Sequence, residues 1–317
     1  MGQTHFDVNG ETVVVAGGSK GLGRELALQL TAEGANVVIV ARSPEPLEET
    51  RQELVKHVQN EEQTIRTAAL DLTDAAQVET FINSLPTAPS ILFCVAGGTA
   101  DEIGFFVDIT PKSIESCMSR NYLGAAYISQ ALLRRWVKEQ PRGEPKAPAV
   151  KRHMVFTAST AAFVGLPGYV AYTPSKTATR ALADTLRQEV LLYRTHQDIK
   201  IHCSFPGTIY TDTFYKEQQR KPALLKQLEG SEADEGGLSA ARVAEITLQG
   251  LRQGKFFITM DSDTELLLNN MRGPSPRDSP IKDWLLGVVA SFAWPFYRAK
   301  WDKATLQYGK NQERRSK

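Results

Sequence analysis

Three side chains between residues 156 and 187 have the types and spacing of an acid–base site. Tyr172 and Lys176 are four residues apart at the start of a helical pattern, so both face the same side of that helix. Ser159 precedes Tyr172 by thirteen residues and follows an apolar run typical of a strand. A tyrosine hydroxyl, with a pKa of about 10, is a poor acid–base group near neutral pH, but a neighbouring cation lowers that value. The spacing therefore predicts proton transfer by Tyr172, assisted by Lys176.

A glycine-rich loop near the start of the chain is a second candidate site. Gly17, Gly21 and Gly23 follow the apolar run 12–16 and precede a helical pattern. Glycines permit positive φ angles and close approach of a ligand to the backbone, and a helix N-terminus offers free N–H groups to an anion. Loops of this kind also occur for packing reasons, so the loop alone leaves a phosphate site and a structural turn both open.

The end of the second apolar run indicates which dinucleotide such a loop would prefer. An NAD-binding unit usually carries an acidic residue there, but this chain has Ala41 and Arg42. The guanidinium of Arg42 suits a phosphate, and Lys20 in the glycine loop adds a second positive charge. The pair predicts a preference for NADP, although either residue alone is typical of a solvated surface cation.

The elements that must position these residues alternate along the chain. Strands are predicted at 12–16, 36–41, 64–70, 91–96, 153–158, 200–205 and 255–260, with helical patterns between most of them. Strands that are apolar throughout and separated by helices indicate a parallel sheet covered on both faces. We therefore predict an α/β protein with a Rossmann-type, doubly wound, seven-stranded parallel sheet, whose ligands bind beyond the carboxyl ends of the strands.

Three regions fall outside this alternation. Residues 140–150 are predicted to form a Pro-rich loop, and 209–237 a charged insertion that is either a lid over the substrate or a solvated surface. Residues from about 262 are predicted to form a loop, then an apolar helix, then a basic tail. This divides the chain into a catalytic domain, 1–265, and a C-terminal extension, 266–317.

The apolar helix is predicted at 284–297, fourteen residues without a charge. Its length of about 21 Å is short of the roughly 30 Å of a bilayer core, so an interfacial or re-entrant helix suits it better than a span. The tail from 298 to 317 has seven Lys and Arg against two acidic residues, which favours an anionic leaflet. The alternative is a core or dimer-contact helix that covers the substrate cleft.

Composition excludes several other classes. A net charge of +1 gives no reason to expect a nucleic-acid partner. Cys94, Cys117 and Cys203 lack metal-ligand spacing and are predicted to be core thiols in a reducing compartment, so no metal site is expected. The first ten residues do not have the pattern of a secretory signal, and we expect any membrane anchor to be C-terminal.

Together these motifs resemble the short-chain dehydrogenase/reductase family over about residues 10–260. The resemblance implies an NADPH/NADP cofactor and catalytic roles for Ser159, Tyr172, Lys176 and Asn121, with Asn121 holding a water next to Lys176. One departure is "CVAG" (94–97), where the family usually has Asn-Asn-Ala-Gly; it concerns the rigidity of this loop more than its chemistry. The cofactor-binding residues that the resemblance implies are Gly17, Ser19, Lys20, Gly21, Leu22, Gly23, Arg42, Asp71, Leu72, Ala96, Gly97, Tyr172, Lys176, Pro206, Gly207, Ile209 and Thr211.

Within that family, "VVVAGGSKGLG", "VIVARS", "SRNYLGAAY" and "GLPGYVAYTPSK" are similar to one branch, the 3-ketodihydrosphingosine reductases. This branch implies reduction of a lipid ketone, 3-ketodihydrosphingosine, on the cytosolic face of the endoplasmic reticulum membrane, with 284–297 at the membrane surface. A homodimer or homotetramer is usual for the family. The alternatives are a reductase of a steroid, retinal or 3-ketoacyl chain, and a catalytically silent NADPH-binding membrane protein.

Overall fold

The computed structural model describes residues 6–99, 102–139, 150–194, 197–229 and 236–315. The first five residues, the Pro-rich residues 140–149 and residues 230–235 of the charged insertion lie outside this description. The strands are β1 (Thr12–Ala16), β2 (Asn36–Ala41), β3 (Ile65–Ala69), β4 (Ile91–Cys94), β5 (Val150–Thr157), β6 (Gln197–Phe205), β7 (Ile209–Tyr210), β8 (Leu238–Ser239) and β9 (Phe257–Thr259). All of the predicted strands are confirmed, with ends that differ by up to three residues.

Helices follow most of these strands. They are α1 (Gly21–Ala32), α2 (Pro44–Val55), α3 (Ala75–Ser84), α4 (Pro111–Met118), α5 (Gly124–Lys138), α6 (Tyr172–Glu189), α7 (Asp212–Arg220), α8 (Ala223–Glu229), α9 (Ala240–Arg252), α10 (Ser262–Met271) and α11 (Pro280–Arg315). A π-helical turn, Ser119–Leu123, joins α4 to α5. Helices α7 and α8 lie within the segment that the sequence analysis left open as a lid or a solvated surface.

The main sheet has seven parallel strands in the order β3-β2-β1-β4-β5-β6-β9, and β7 and β8 form a separate parallel pair. Alternate residues of β1 point to opposite faces: Val13 and Val15 pack with α1, α2 and α9, whereas Val14 packs with α3 and α5. Both faces are thus covered, which confirms the doubly wound fold. The strand order reverses between β1 and β4, and in such sheets this switch point opens a crevice at the carboxyl ends of the strands.

The C-terminal region differs from its prediction. Instead of a loop after residue 262, the chain forms α10, whose N-terminus is capped by Asp261 accepting a hydrogen bond of 2.7 Å from the Thr264 amide. The Thr264 hydroxyl lies 3.1 Å from that of Thr160, close to the predicted catalytic Ser159. The predicted boundary at residue 265 therefore falls inside a helix that packs on the catalytic domain.

Helix α11 contains both the predicted apolar segment and most of the basic tail. One face packs on α10, where Asp283 and Ala290 are buried and the Asp283 carboxylate lies 3.4 Å from the Arg272 guanidinium. Apolar side chains on the remaining surface are exposed: Ile281, Trp284, Leu285, Val288, Val289, Phe292, Phe296 and Tyr297. Among the described residues, no helix is both long enough and apolar enough to cross a bilayer.

Candidate active site

A cleft of about 840 Å³ lies at the switch point of the sheet. With the exception of Asn121, every residue that the sequence analysis assigned to catalysis or cofactor binding lines it. These residues are Gly17, Ser19, Lys20, Gly21, Leu22, Gly23, Arg42, Asp71, Leu72, Ala96, Gly97, Ser159, Tyr172, Lys176, Pro206, Gly207, Ile209 and Thr211. The topology therefore brings together segments that are nearly two hundred residues apart in the sequence.

The glycine loop connects β1 to α1 and is held by its own backbone. A Cβ on Gly23 would lie 2.0 Å from the Gly17 carbonyl oxygen, and one on Gly17, whose φ is +98°, would lie 2.5 Å from the Ala96 amide nitrogen. Only glycine fits these two positions. The residue before α1, Lys20, makes no side-chain hydrogen bond to the first turn of the helix. The loop thus offers backbone N–H groups and the positive end of a helix dipole to an anion in the cleft.

Two cations lie at this end of the cleft. Lys20 and Arg42 are both exposed, and neither forms an ion pair with any described residue. Asp71, after β3, accepts hydrogen bonds from the amide and hydroxyl of Thr73, which fixes its carboxylate at the cleft. A cation in the glycine loop, a second cation at the end of β2 and a fixed carboxylate after β3 fit the 2′-phosphate and adenine ends of NADP.

The three predicted catalytic residues meet where β5 ends and α6 begins. Ser159 follows β5, with its hydroxyl accepting a hydrogen bond of 3.1 Å from the Ala161 amide. Tyr172 is the first residue of α6, and Lys176 lies one turn later with its ammonium 5.7 Å from the centre of the Tyr172 ring. That ammonium donates a hydrogen bond of 2.9 Å to the Thr157 carbonyl at the end of β5. The buried Lys176 is thereby anchored between the strand and the helix.

Burial governs the protonation of this pair. It raises the pKa of Tyr172 above its ordinary value, and a hydrogen bond with Ser159 opposes that rise. Burial also lowers the pKa of Lys176 to about 8. The sequence predicted that Lys176 lowers the pKa of Tyr172. In the chain alone, the pKa of Tyr172 is raised instead. At neutral pH the Tyr172 hydroxyl holds its proton, as a group that donates one must.

Asn121 lies behind the cleft, buried in the π-helical turn. Its side-chain oxygen accepts a hydrogen bond of 2.8 Å from the Gly98 amide, and its nitrogen donates one of 2.9 Å to the Gly98 carbonyl. The loop after β4 is also held to β1, since the amides of Val95 and Ala96 both donate to the Ala16 carbonyl. These contacts hold the loop after β4 in place, although "CVAG" (94–97) lacks the asparagine that the family usually has there. The water role of Asn121 remains a prediction.

The other end of the cleft contains residues that the sequence analysis did not single out. Its polar members are Thr99, Arg120, Tyr169, Glu217, Lys221 and Glu229, and its apolar members include Val164, Leu166, Phe214, Leu228, Leu267 and Trp301. Lys221 is buried although the insertion is rich in charge. The spacing of Phe214 and Glu217 on α7 is a signal that could have found part of this wall, because residues three apart share a helix face.

Comparison with known proteins agrees with this geometry. A sequence model described as short chain dehydrogenase matches residues 11–222. A PIGF/3-ketodihydrosphingosine reductase fusion protein from Schizosaccharomyces pombe is 36% identical over 97% of this chain, which spans 59% of that protein's length. A 3-ketodihydrosphingosine reductase from Aspergillus fumigatus is 37% identical over 92% of this chain and 82% of its own length. One from Bos taurus is 31% identical over 88% and 80%.

Solved structures match the fold. A short-chain type dehydrogenase/reductase from Mycobacterium ulcerans has a TM-score of 0.67 at 20% identity, covering 90% of this chain and 98% of its own. Levodione reductase has a TM-score of 0.66 at 20% identity, covering 80% and 97%. The fold and the cleft define an α/β protein of the dinucleotide-binding type. The chain belongs to the short chain dehydrogenase family, which confirms the resemblance drawn from its motifs.

Proposed function

We propose that this protein reduces 3-ketodihydrosphingosine to dihydrosphingosine with NADPH. The observation that carries the proposal is a single cleft that joins Ser159, Tyr172 and Lys176 to a glycine loop at one end and to a largely apolar wall at the other. The relatives that carry this reductase name are 31% to 37% identical over most of this chain, which supports the choice among lipophilic ketones.

The residues of the cleft fit a phosphorylated dinucleotide. The N-terminus of α1 receives the pyrophosphate, while Arg42 and Lys20 bind the 2′-phosphate as exposed cations that have no acidic partner among the described residues. Asp71, Ala96, Gly97 and the segment 206–211 line the remaining length of the cofactor end. This donor set favours NADPH over NADH.

The chemistry follows from the groups around Tyr172. When bound, the nicotinamide supplies the hydride that the carbonyl carbon takes up. Ser159 holds the carbonyl oxygen, and Tyr172 gives its proton to the developing alkoxide. Lys176, anchored on the Thr157 carbonyl, holds the ribose hydroxyls and carries a positive charge below pH 8 beside the tyrosine ring. The product is the secondary alcohol.

Turnover by the purified chain tests this function. NADPH oxidation is followed with 3-ketodihydrosphingosine and, in parallel, with a steroid ketone, retinal and a 3-ketoacyl thioester. We expect the sphingoid ketone to give the highest kcat/KM. If another ketone is turned over and the sphingoid ketone is not, the assignment moves to that other substrate. NADPH binding without turnover of any ketone would favour a catalytically silent binding protein.

We further propose that the protein works at the cytosolic face of the endoplasmic reticulum membrane and binds that surface through α11. The apolar side chains of residues 281–297 cover a long exposed face of this helix; Phe292 is 74% exposed and Phe296 is 79% exposed. Exposed basic residues of the same helix, including Arg298 and Lys300, would meet anionic headgroups.

Flotation of the full-length chain with vesicles that contain phosphatidylserine tests the membrane proposal. Phe292→Ser with Phe296→Ser should reduce the bound fraction severalfold, whereas Leu192→Ser, which changes a side chain exposed to 74% elsewhere, should not. Equal flotation of all three proteins would remove α11 as the contact.

We extend the proposal to a homodimer or homotetramer, as the family resemblance implies. Sedimentation of the purified chain measures this oligomeric state directly.

A further inference from the structure

The substrate end of the cleft is charged as well as apolar. Glu217 on α7, Lys221 directly after α7 and Glu229 at the end of α8 all line it. The Lys221 ammonium lies 2.9 Å from a Glu229 carboxylate oxygen, and the Lys221 side chain is only 2% exposed. The charges of Lys221 and Glu229 therefore neutralise each other in a site that water barely reaches.

Glu217 is placed differently. Its Oε1 atom accepts hydrogen bonds from the Thr99 amide, at 3.2 Å, and from the Thr99 hydroxyl, at 2.5 Å. Within the described part of the chain, no cation lies within ion-pair distance of this carboxylate. Burial raises the pKa of Glu217, while the charge of Lys221 and the hydrogen bonds from Thr99 oppose that rise. The cleft thus holds a fixed carboxylate whose charge is not matched by an adjacent cation.

This carboxylate and the proton donor line the same cleft. The rings of Tyr169 and Tyr172 are 5.3 Å apart between centres, and the Lys221 ammonium lies 5.4 Å from the centre of the Tyr169 ring. Burial is the main cause of the raised pKa of Tyr172, and the charge of Glu217 adds to it. A ligand whose carbonyl oxygen meets Tyr172 therefore lies in the same cleft as the Glu217 carboxylate.

Helix α7 fixes that position. Thr211, which lines the cofactor end, caps this helix by accepting a hydrogen bond of 3.2 Å from the Phe214 amide. Glu217 follows on the same helix, which therefore connects the cofactor end of the cleft to the carboxylate. Side chains placed by a helix recognise a ligand with less loss of conformational entropy than side chains on a loop.

We propose that Glu217 binds the ammonium group of a 2-amino-3-ketone substrate and so selects amino ketones over other lipophilic ketones. The inference rests on the proposed function, because 3-ketodihydrosphingosine carries its amine on the carbon bonded directly to the carbonyl carbon. An ammonium at that place would give the Glu217 carboxylate the positively charged partner that it lacks. The ammonium would donate a charge-assisted hydrogen bond to this carboxylate. Glu229 is less suited to this role, since Lys221 already neutralises it. The apolar wall that includes Phe214, Leu228 and Trp301 would take the alkyl chain.

A matched pair of ketones tests this inference. The first is 3-ketodihydrosphingosine and the second is 1-hydroxyoctadecan-3-one, which lacks only the amine. Each is assayed with the full-length wild-type protein, with Glu217→Gln and with Glu79→Gln. Glutamine keeps the oxygen that accepts from Thr99, and Glu79 is an exposed glutamate on α3 that controls for the loss of one negative charge. Thermal melting and NADPH titration check that each variant is folded.

We expect the wild-type protein to prefer the amino ketone in kcat/KM. Glu217→Gln should lower kcat/KM for the amino ketone by about tenfold or more, the typical effect of removing a hydrogen bond between charged groups. It should leave 1-hydroxyoctadecan-3-one unaffected, and Glu79→Gln should behave as wild type. An equal loss on both ketones, or no loss on either, would overturn the role of Glu217.

The wild-type protein also tests the inference by itself. If Glu217→Gln melts below the assay temperature, the comparison uses the wild-type protein alone. Equal kcat/KM for the two ketones would overturn the inference, and a higher kcat/KM for the amino ketone would support it. Absence of turnover with both ketones would instead overturn the proposed function and, with it, this inference. Turnover without discrimination leaves the reductase function in place and removes only the recognition of the amine.

Discussion

The two ends of the cleft are built in different ways. The cofactor end is mainly backbone: a loop of consecutive residues, 17–23, turns between β1 and α1 and is shaped by contacts that exclude any side chain at Gly23. The substrate end is mainly side chains, and its members, such as Thr99, Tyr169, Glu217 and Trp301, come from segments far apart in the sequence. A local motif can therefore describe the first end but not the second, which exists only after the chain has folded.

Tyr172 stands where the two ends meet, and Tyr172→Phe should reduce turnover more than any substitution at either end alone. The change removes the proton donor but keeps the ring, so turnover should fall by about 10²–10⁴-fold, the usual contribution of a positioned acid. NADPH should still bind, as measured by the fluorescence of the bound nucleotide. Turnover at the wild-type rate would show that another group supplies the proton.

Gly23→Ala tests whether the cofactor end depends on backbone shape. The added methyl group would lie 2.0 Å from the Gly17 carbonyl oxygen, so the loop and the start of α1 must move apart. Overpacking of this kind costs about 1–3 kcal/mol of unfolding free energy, and we expect NADPH binding to weaken with it. Gly165→Ala is the matched control, because a Cβ there meets no atom within 4 Å. Equal stability and NADPH affinity of the two variants would contradict the argument.

Arg42→Ala tests the part of the cofactor end that does depend on a side chain. Arg42 is exposed at the cleft, and no described residue forms an ion pair with it, so its removal should not affect folding. We expect the Kd for NADPH to rise about tenfold, as for loss of a hydrogen bond between charged groups, with the Kd for NADH unchanged. Titration of both nucleotides measures the ratio. A parallel weakening of both would mean that Arg42 does not contact the 2′-phosphate.

The contrast between the two ends also explains what the sequence could predict. The runs that form β1 and β2 are apolar at nearly every position, so their ends at residues 16 and 41 were predicted correctly. Helix α10 was missed because its polar residues, such as Asn269 and Asn270, obscure the apolar periodicity that its contacts with β9 and α11 require. In the sequence, the charges of Glu217 and Lys221 suggest solvent exposure. Their partners Thr99 and Glu229 are brought beside them only by the tertiary structure.

Trp301→Ala should have the smallest effect and addresses the apolar wall. Trp301 lines the cleft from α11, where its ring packs edge-on at 5.4 Å against Trp294. If this ring covers the alkyl chain of the substrate, its loss should raise KM for the long-chain ketone by about fourfold, the equivalent of exposing one methylene group. A short-chain homologue of the same amino ketone should keep its KM, because its chain would end before reaching α11. Leu306→Ala, at a side chain 66% exposed on the same helix, is the control. An equal rise in KM for both chain lengths would mean that Trp301 supports the position of α11 and does not contact the chain of the substrate.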